Sequence, residues 1–319
     1  MRLATIVIAA ALAGCEAGAP PAGSAAGEST IRSGWSIAPD GDLNSLFDCL
    51  GRDGKTLVAA HRGGPAPGFP ENAIETFENM MGRAPAFLEI DVATSADGIL
   101  YLMHDDTLDR TTSGADAIES VAWKEVSAMQ LEDSTGRATP YHPPSFAEAL
   151  AWAEGRTILE IDFKKTTRYE DVIAEITRQQ AEDRVILIAY TTAQARRLHR
   201  LAPRVMISLS VSTQSDLNNA VAAGVPADRL LGFTGIEDPK PRLFSMLGAQ
   251  DIEVVFGTLG GRDSIDKEIE ATGNDSLYAD LSVMGVDIIA TDRPAAAQAA
   301  LEDAGRAAID GQCGIARVD

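Results

Sequence analysis

The strongest constraint on this chain is an alternation. From Thr56 onward, short apolar runs recur at Thr56–His61, Phe87–Val92, Thr157–Phe163, Val185–Tyr190, Val205–Val211, Arg229–Phe233, Glu253–Thr258 and Asp287–Thr291. Stretches with helical spacing, such as Asn72–Gly82, Tyr169–Gln180 and Thr192–Leu201, separate most of them. A strand that is nearly continuously apolar is buried on both faces. Strand–helix alternation then predicts a parallel sheet with right-handed crossovers. Eight such units in 319 residues fit an α/β fold of the closed (β/α)8 TIM-barrel type better than an open sheet. One interval breaks the rhythm. Ala96-Asp97-Gly98 turns into Ile99–His104, and no helical pattern resumes before Ser145. That interval reads as an extra hairpin followed by an insertion, about residues 105–144, over the top of the barrel. No internal repeat is visible, and no phosphate-cradling loop of the P-loop or dinucleotide type occurs.

In a barrel, side chains at the C-terminal ends of the strands converge on one site. The first strand ends His61-Arg62-Gly63-Gly64, where the glycines would let a ligand approach the backbone closely. The second holds Glu89-Ile90-Asp91, whose i, i+2 spacing puts both acids on one face. The third holds Glu160-Ile161-Asp162-Phe163-Lys164, and the hairpin ends at His104-Asp105-Asp106. Converging carboxylates with two imidazoles and two cations describe a metal-assisted phosphoryl site. The acids hold a hard divalent ion, Arg62 and Lys164 hold phosphate oxygens, and the histidines move protons. Each residue also has a plainer reading. Glu89 and Asp91 could be ion-paired at the rim, although two inward acids on a buried strand are costly without a cation. His61 could be a core histidine, and His104 could cap the hairpin. Asn72, three residues before Glu75, reads as a helix N-cap with a capping box. His142 and His199 read as structural or surface residues, and Asp292-Arg293-Pro294 as an N-cap followed by a helix-starting proline.

The termini carry a different message. Met1-Arg2 is a short positive start, and Leu3–Leu12 is apolar over the length of a signal peptide. Leu12-Ala13-Gly14-Cys15 resembles the lipobox of bacterial lipoproteins, in which the cysteine is lipidated and becomes the new N-terminus. Residues 1–15 are therefore expected to be a lipoprotein signal peptide. Residues 16–34, rich in Ala, Gly and Pro, would be a flexible tether, with the catalytic domain at 35–319. Export places the protein on the periplasmic or outer cell-surface face, held to the membrane at Cys15 by acyl chains. In an oxidising compartment Cys49, just before the first strand, and Cys313, just past the last helix, can pair, because both lie on the bottom face of a barrel. The alternative is two buried free thiols. A net charge of −20 argues against nucleic acid and anionic lipid headgroups as broad partners. Nothing implies an obligate protein partner.

His61-Arg62-Gly63, Glu71-Asn72, Glu89-Ile90-Asp91-Val92, Asp97-Gly98, His104-Asp105 and Arg110-Thr111-Thr112-Ser113-Gly114 occur in the order seen in glycerophosphodiester phosphodiesterases, which the chain resembles from about Leu57 to Leu301. Ile161-Asp162-Phe163-Lys164 resembles the third-strand acid of that family, and Gly285-Val286-Asp287 with Thr291-Asp292-Arg293-Pro294 resembles its last-strand signature. The resemblance implies a TIM barrel that hydrolyses glycerophosphodiesters to glycerol 3-phosphate and an alcohol. It implies Glu89, Asp91 and Asp162 as ligands of one Mg²⁺ or Ca²⁺, His61 and His104 as the acid–base pair, and Arg62 and Lys164 on the phosphate. Three departures stand out. Asp162 replaces the usual Glu, which pulls the metal or brings in Glu160. Ala73 replaces Thr. Phe256 stands where the family often has Trp, on the wall near the glycerol.

Imidazole titrates near 6.5 in water, so a pair can hold opposite protonation states near neutral pH. The nucleophile is either water or the glycerol hydroxyl beside the ester; the second route gives a cyclic phosphate. Two other functions compete. A phospholipase D-like or sphingomyelinase D-like lipase would need an apolar entrance, and Val121, Trp123, Val126, Met129 and Leu131 have the spacing of one helix face. A non-catalytic surface lipoprotein would keep the barrel but should lose part of this residue set.

Overall fold

A computed structural model describes residues 34–39 and 41–318. Cys15, the leader and the tether up to residue 33 lie outside the described residues. Eleven strands are described: β1 (Gly34–Ile37), β2 (Leu57–Ala60), β3 (Ala86–Thr94), β4 (Leu100–Leu102), β5 (Leu159–Phe163), β6 (Val185–Ala189), β7 (Met206–Ser210), β8 (Leu230–Phe233), β9 (Val254–Gly257), β10 (Ile288–Thr291) and β11 (Ile315–Val318). Eight of them, β2, β3 and β5 to β10, pair in parallel and in order. Val58 faces Ala86 on one side and Ile289 on the other, so β2 pairs with both β3 and β10 and closes the barrel. These are the eight predicted strands, each within a residue or two of its expected bounds. The apolar runs that predict them are mostly buried, with Leu57, Val58, Ala59, Phe87, Leu88 and Ile90 fully covered.

The long β3 continues past the barrel rim and pairs antiparallel with β4, Val92 facing Leu102. The insertion that follows has its own small core of Ala93, Tyr101, Met103, Leu108, Ile118, Val121 and Val126, flanked by Trp123 and Met129. Its apolar residues do not form one helix face. Trp123–Val126 is a single helical turn, Ile118 reaches the same core from the short 3-10 turn Ile118–Ser120, and Leu108 and Met129 reach it from bends. A regular helix resumes at Phe146–Ala153, where Ser145 and Glu148 form a reciprocal capping box.

A two-stranded ribbon lies outside the expected set. β1 and β11 pair antiparallel, Gly34 with Val318 and Ile37 with Ile315. Gly34 is thus the first residue of a strand and not the last of a tether. Beside this ribbon the Cys49 and Cys313 sulfurs are 2.08 Å apart, with Cα atoms separated by 5.7 Å.

Candidate active site

β2 ends in a tight turn, His61–Gly63, capped by Gly64; Arg62 (φ 51°), Gly63 (82°) and Gly64 (79°) all lie in the left-handed region. A Cβ on Gly63 would lie 2.2 Å from the Phe77 ring. Gly63 therefore makes room for a core phenylalanine and not for a ligand, which corrects the expectation from sequence. The turn folds the Arg62 N–H back onto the Glu89 carboxylate at 2.8 Å. It also aims the His61 ring at Asp292, just past β10; Nδ1–H donates to Oδ1 at 2.6 Å. Asp292 also accepts from the Gly260 N–H at 3.1 Å. Its own N–H donates to the buried Asp266 carboxylate, which in addition accepts from Tyr278 and Thr291. Burial pushes the Asp292 carboxyl up, but the His61 and Gly260 contacts outweigh it and the net shift is downward. Asp292 is not the helix cap expected from sequence. The N-cap is Arg293, with Pro294 first in the helix. The site uses the carboxylate instead to fix one histidine.

The second histidine is held the same way. His104, after β4, donates from Nδ1 to Asp105 at 2.5 Å. Arg110, hydrogen-bonded to Asp105, holds that carboxyl at about 2 against the opposing effect of burial. In both rings the carboxylate occupies Nδ1 and leaves Nε2 as the nitrogen available for proton transfer.

Between the histidine-bearing segments, β3 and β5 lie in register with Glu89 beside Glu160 and Asp91 beside Asp162. Oxygens of Glu89, Asp91 and Asp162 all lie within 4.8 Å of one another. Glu160 is not in that group. Burial raises its carboxyl to about 7, opposed by a hydrogen bond from Ser208. Glu89 is pushed well up by burial and then by the Asp91 charge. Asp91, 1% exposed, moves down despite burial because Lys164 sits against it. The Lys164 Nζ donates to Asp91 at 2.7 Å and to Asp162 at 2.8 Å. Three converging buried carboxylates, one of them raised by burial and then by its neighbours' charge, form an all-oxygen donor set, the chemistry that suits a hard divalent cation.

Two further partners shape this set. Asn72 does not cap the helix as expected; the N-cap is Ala73, without a side-chain bond. Asn72 sits in the left-handed region at φ 57°, donates from Nδ2 to Asp91 at 2.8 Å, and accepts the Asp91 N–H at 3.0 Å. Tyr190, which leaves the barrel just after β6, donates its hydroxyl to Asp162 at 2.9 Å. Neither role was read from the sequence. A uniform reading of every strand end would have singled out Tyr190 and Asp292, since both follow the last residue of a strand. His142 donates from Nδ1 to the Met129 carbonyl at 2.7 Å, and His199 lies on the helix Thr192–Leu201, both apart from the site. Phe256 is fully buried edge-on against Phe244 of an outer helix, so it is not a glycerol-facing wall.

A cavity of about 480 Å³ opens beside this constellation, lined among others by His104, Asp105, Asp162, Lys164 and Tyr190. A second, of about 640 Å³, lies near Arg204 and Arg229, at the N-terminal ends of β7 and β8, and contains none of the site residues.

A model of the Glycerophosphoryl diester phosphodiesterase family matches residues 61–296. The uncharacterized protein YqiK of Bacillus subtilis (strain 168) is 31% identical over 182 residues, 54% of this chain and 73% of that protein. The glycerophosphodiester phosphodiesterase of Caldanaerobacter subterraneus subsp. tengcongensis is 30% identical over 162 residues, 49% of this chain and 66% of that one. The crystal structure of a glycerophosphoryl diester phosphodiesterase from Parabacteroides distasonis superposes with a TM-score of 0.81 at 29% identity, covering 89% of this chain and all of the other. The family match runs from His61 to beyond β10 and takes in both histidines, the three clustered acids, Arg62 and Lys164; the chain belongs to the glycerophosphoryl diester phosphodiesterase family.

Proposed function

We propose that this protein hydrolyses glycerophosphodiesters to glycerol 3-phosphate and an alcohol, with one divalent ion, Mg²⁺ or Ca²⁺, held by Glu89, Asp91 and Asp162. The observation that carries this reading is the pair of imidazoles, each fixed through Nδ1 by its own carboxylate, at the mouth that also holds the three acids. When bound, the ion supplies charge neutralisation of the phosphodiester and of the oxygen that attacks or leaves. Arg62 and Lys164 complete the anion site, one as a planar fork and the other as a point charge. Nε2 of one histidine takes the proton of the nucleophile, and Nε2 of the other returns a proton to the departing alkoxide. Asp292 and Asp105 hold the two tautomers and ring orientations that this exchange needs.

The lipase alternative loses its motive, because Val121 and Val126 are buried in the insertion's own core and Leu131 is buried as well, so they do not form an apolar entrance. The test uses the chain without its first fifteen residues, with glycerophosphocholine and glycerophosphoethanolamine as substrates. Release of glycerol 3-phosphate with Mg²⁺ or Ca²⁺ is expected to stop with EDTA and to fall about 10²–10⁴-fold in His61→Ala and in His104→Ala. No release from either substrate would leave a lipid phosphodiesterase or a non-catalytic lipoprotein. Export and anchoring at Cys15 belong to the same proposal. Cys15→Ser is expected to move the full chain from the membrane to the soluble fraction; retention in the membrane would overturn the anchor.

A further inference from the structure

His104 and Arg62 come from different parts of the fold, one at the start of the insertion and the other in the turn after β2. Between them runs an unbroken line of alternating charge. Asp105, which holds His104, is gripped by Arg110 through Nε and through Nη2, the latter at 3.1 Å. The same guanidinium reaches Glu71 from Nη1 at 2.9 Å and from Nη2 at 2.7 Å. Glu71 is then shared, because Arg62 Nη1 donates to its two oxygens at 2.9 and 3.1 Å. The Arg62 N–H completes the line at Glu89.

We propose that Arg110 is a positioning residue that couples the acid–base histidine His104 to the phosphate-binding Arg62 by dividing its guanidinium between Asp105 and Glu71. The proposal rests on the phosphodiesterase reading above for the roles of His104 and Arg62. Two carboxylates on different segments need a planar donor with several N–H groups at fixed angles, which arginine has and lysine lacks. A carboxylate has about four acceptor sites, so Glu71 can serve both arginines without giving up either. The Glu71 side chain is 14% exposed, so its two positive partners are not readily replaced by water. Remove Arg110, and His104 keeps Asp105 but Asp105 loses its anchor. Arg62 keeps Glu71, yet Glu71 is then free to follow it. The insertion and the β2 turn cease to act as one frame.

The test compares Arg110→Ala and Arg110→Lys with the wild type in turnover of glycerophosphocholine and in calorimetric binding of glycerol 3-phosphate. Arg110→Ala is expected to lower kcat by about 10²-fold, the scale of an ångström-sized misplacement, and to weaken glycerol 3-phosphate binding. Guanidinium ion added at millimolar concentration should restore part of the lost turnover, and methylammonium should not. Arg110→Lys keeps the charge without the fork and should remain impaired; it also serves where the alanine variant does not fold. Wild-type turnover and affinity in both variants would overturn the proposal. So would losses that guanidinium leaves untouched, since a purely structural role predicts those. If the wild type itself releases no glycerol 3-phosphate, the functional reading falls, and the coupling is judged on binding alone: equal affinity in wild type and variants then overturns it.

Discussion

Asn72 satisfies Asp91 twice, amide to carboxylate and carbonyl to backbone N–H, and does so from a left-handed backbone that asparagine tolerates better than most residues. Asn72→Ala would leave the buried Asp91 N–H without a partner, at a cost of about 1–3 kcal/mol in chemical denaturation. Loss of this support should also weaken divalent-ion binding about 10–100-fold by calorimetry. A variant that keeps wild-type stability and ion affinity would remove Asn72 from the site. Asp292→Asn tests the other kind of support. The amide can still meet His61 but favours the wrong ring tautomer, so kcat should fall with little change in fold. The clustering of His, Arg, Lys, Asp and Glu was legible because they recur at the C-terminal ends of the predicted strands, which a barrel brings together. Their partners were not. An asparagine three residues before a glutamate at a helix start looks the same locally whether it caps the helix or turns away to meet a strand 19 residues on.

Strands β3 and β5 act as a pair. Their register sets Glu89 and Asp91 on one against Glu160 and Asp162 on the other, so four acids share one patch of barrel interior, and burial keeps the lower pair from ionising freely. β9 shows what an unassisted acid does. Glu253, just before it, is 7% exposed with Oε2 lacking any hydrogen bond. Burial first, and then the charges of Asp287, Asp48 and Asp251, raise its carboxyl to about 8. The folded state therefore holds this proton over a range where the unfolded chain, titrating near 4.5, has released it. The native state holds more protons at this group in that window, so the contribution of Glu253 to stability falls as pH rises from about 4.5 to about 8 and is constant on either side. Glu253→Gln should remove that share of the slope, raising Tm at pH 8 by at least about 2 °C while changing little at pH 4. An unchanged slope would show that Glu253 ionises as easily folded as unfolded. The eight barrel strands were readable because a doubly buried strand is apolar along its whole length. β1 and β11 are four residues each, with partners almost the whole chain apart, and no local period marks such a pairing.

At the scale of the molecule, the barrel is closed twice. Hydrogen bonds join β2 to β10, and outside them the β1–β11 ribbon and the Cys49–Cys313 bridge join the two ends of the described chain. The bridge encloses a sequence separation of 264 residues, so by restricting the unfolded chain it should contribute about 2–5 kcal/mol. Denaturation with and without reductant, and in the Cys49→Ser Cys313→Ser variant, measures this directly; identical midpoints would mean that the unfolded chain is no freer without it. The active mouth is built at the opposite ends of the strands, so the bridge should change stability without changing turnover in the folded protein.

That second closure has a mechanical meaning. A pull applied at the two ends of this domain runs from one end through the ribbon and the sulfur bridge to the other, and the eight parallel strands carry none of the load. Stretched singly between a surface and a probe, the oxidised molecule should give up only the short segments outside the bridge. After reduction, the same pull would draw out a further length of about 900 Å as the barrel unravels.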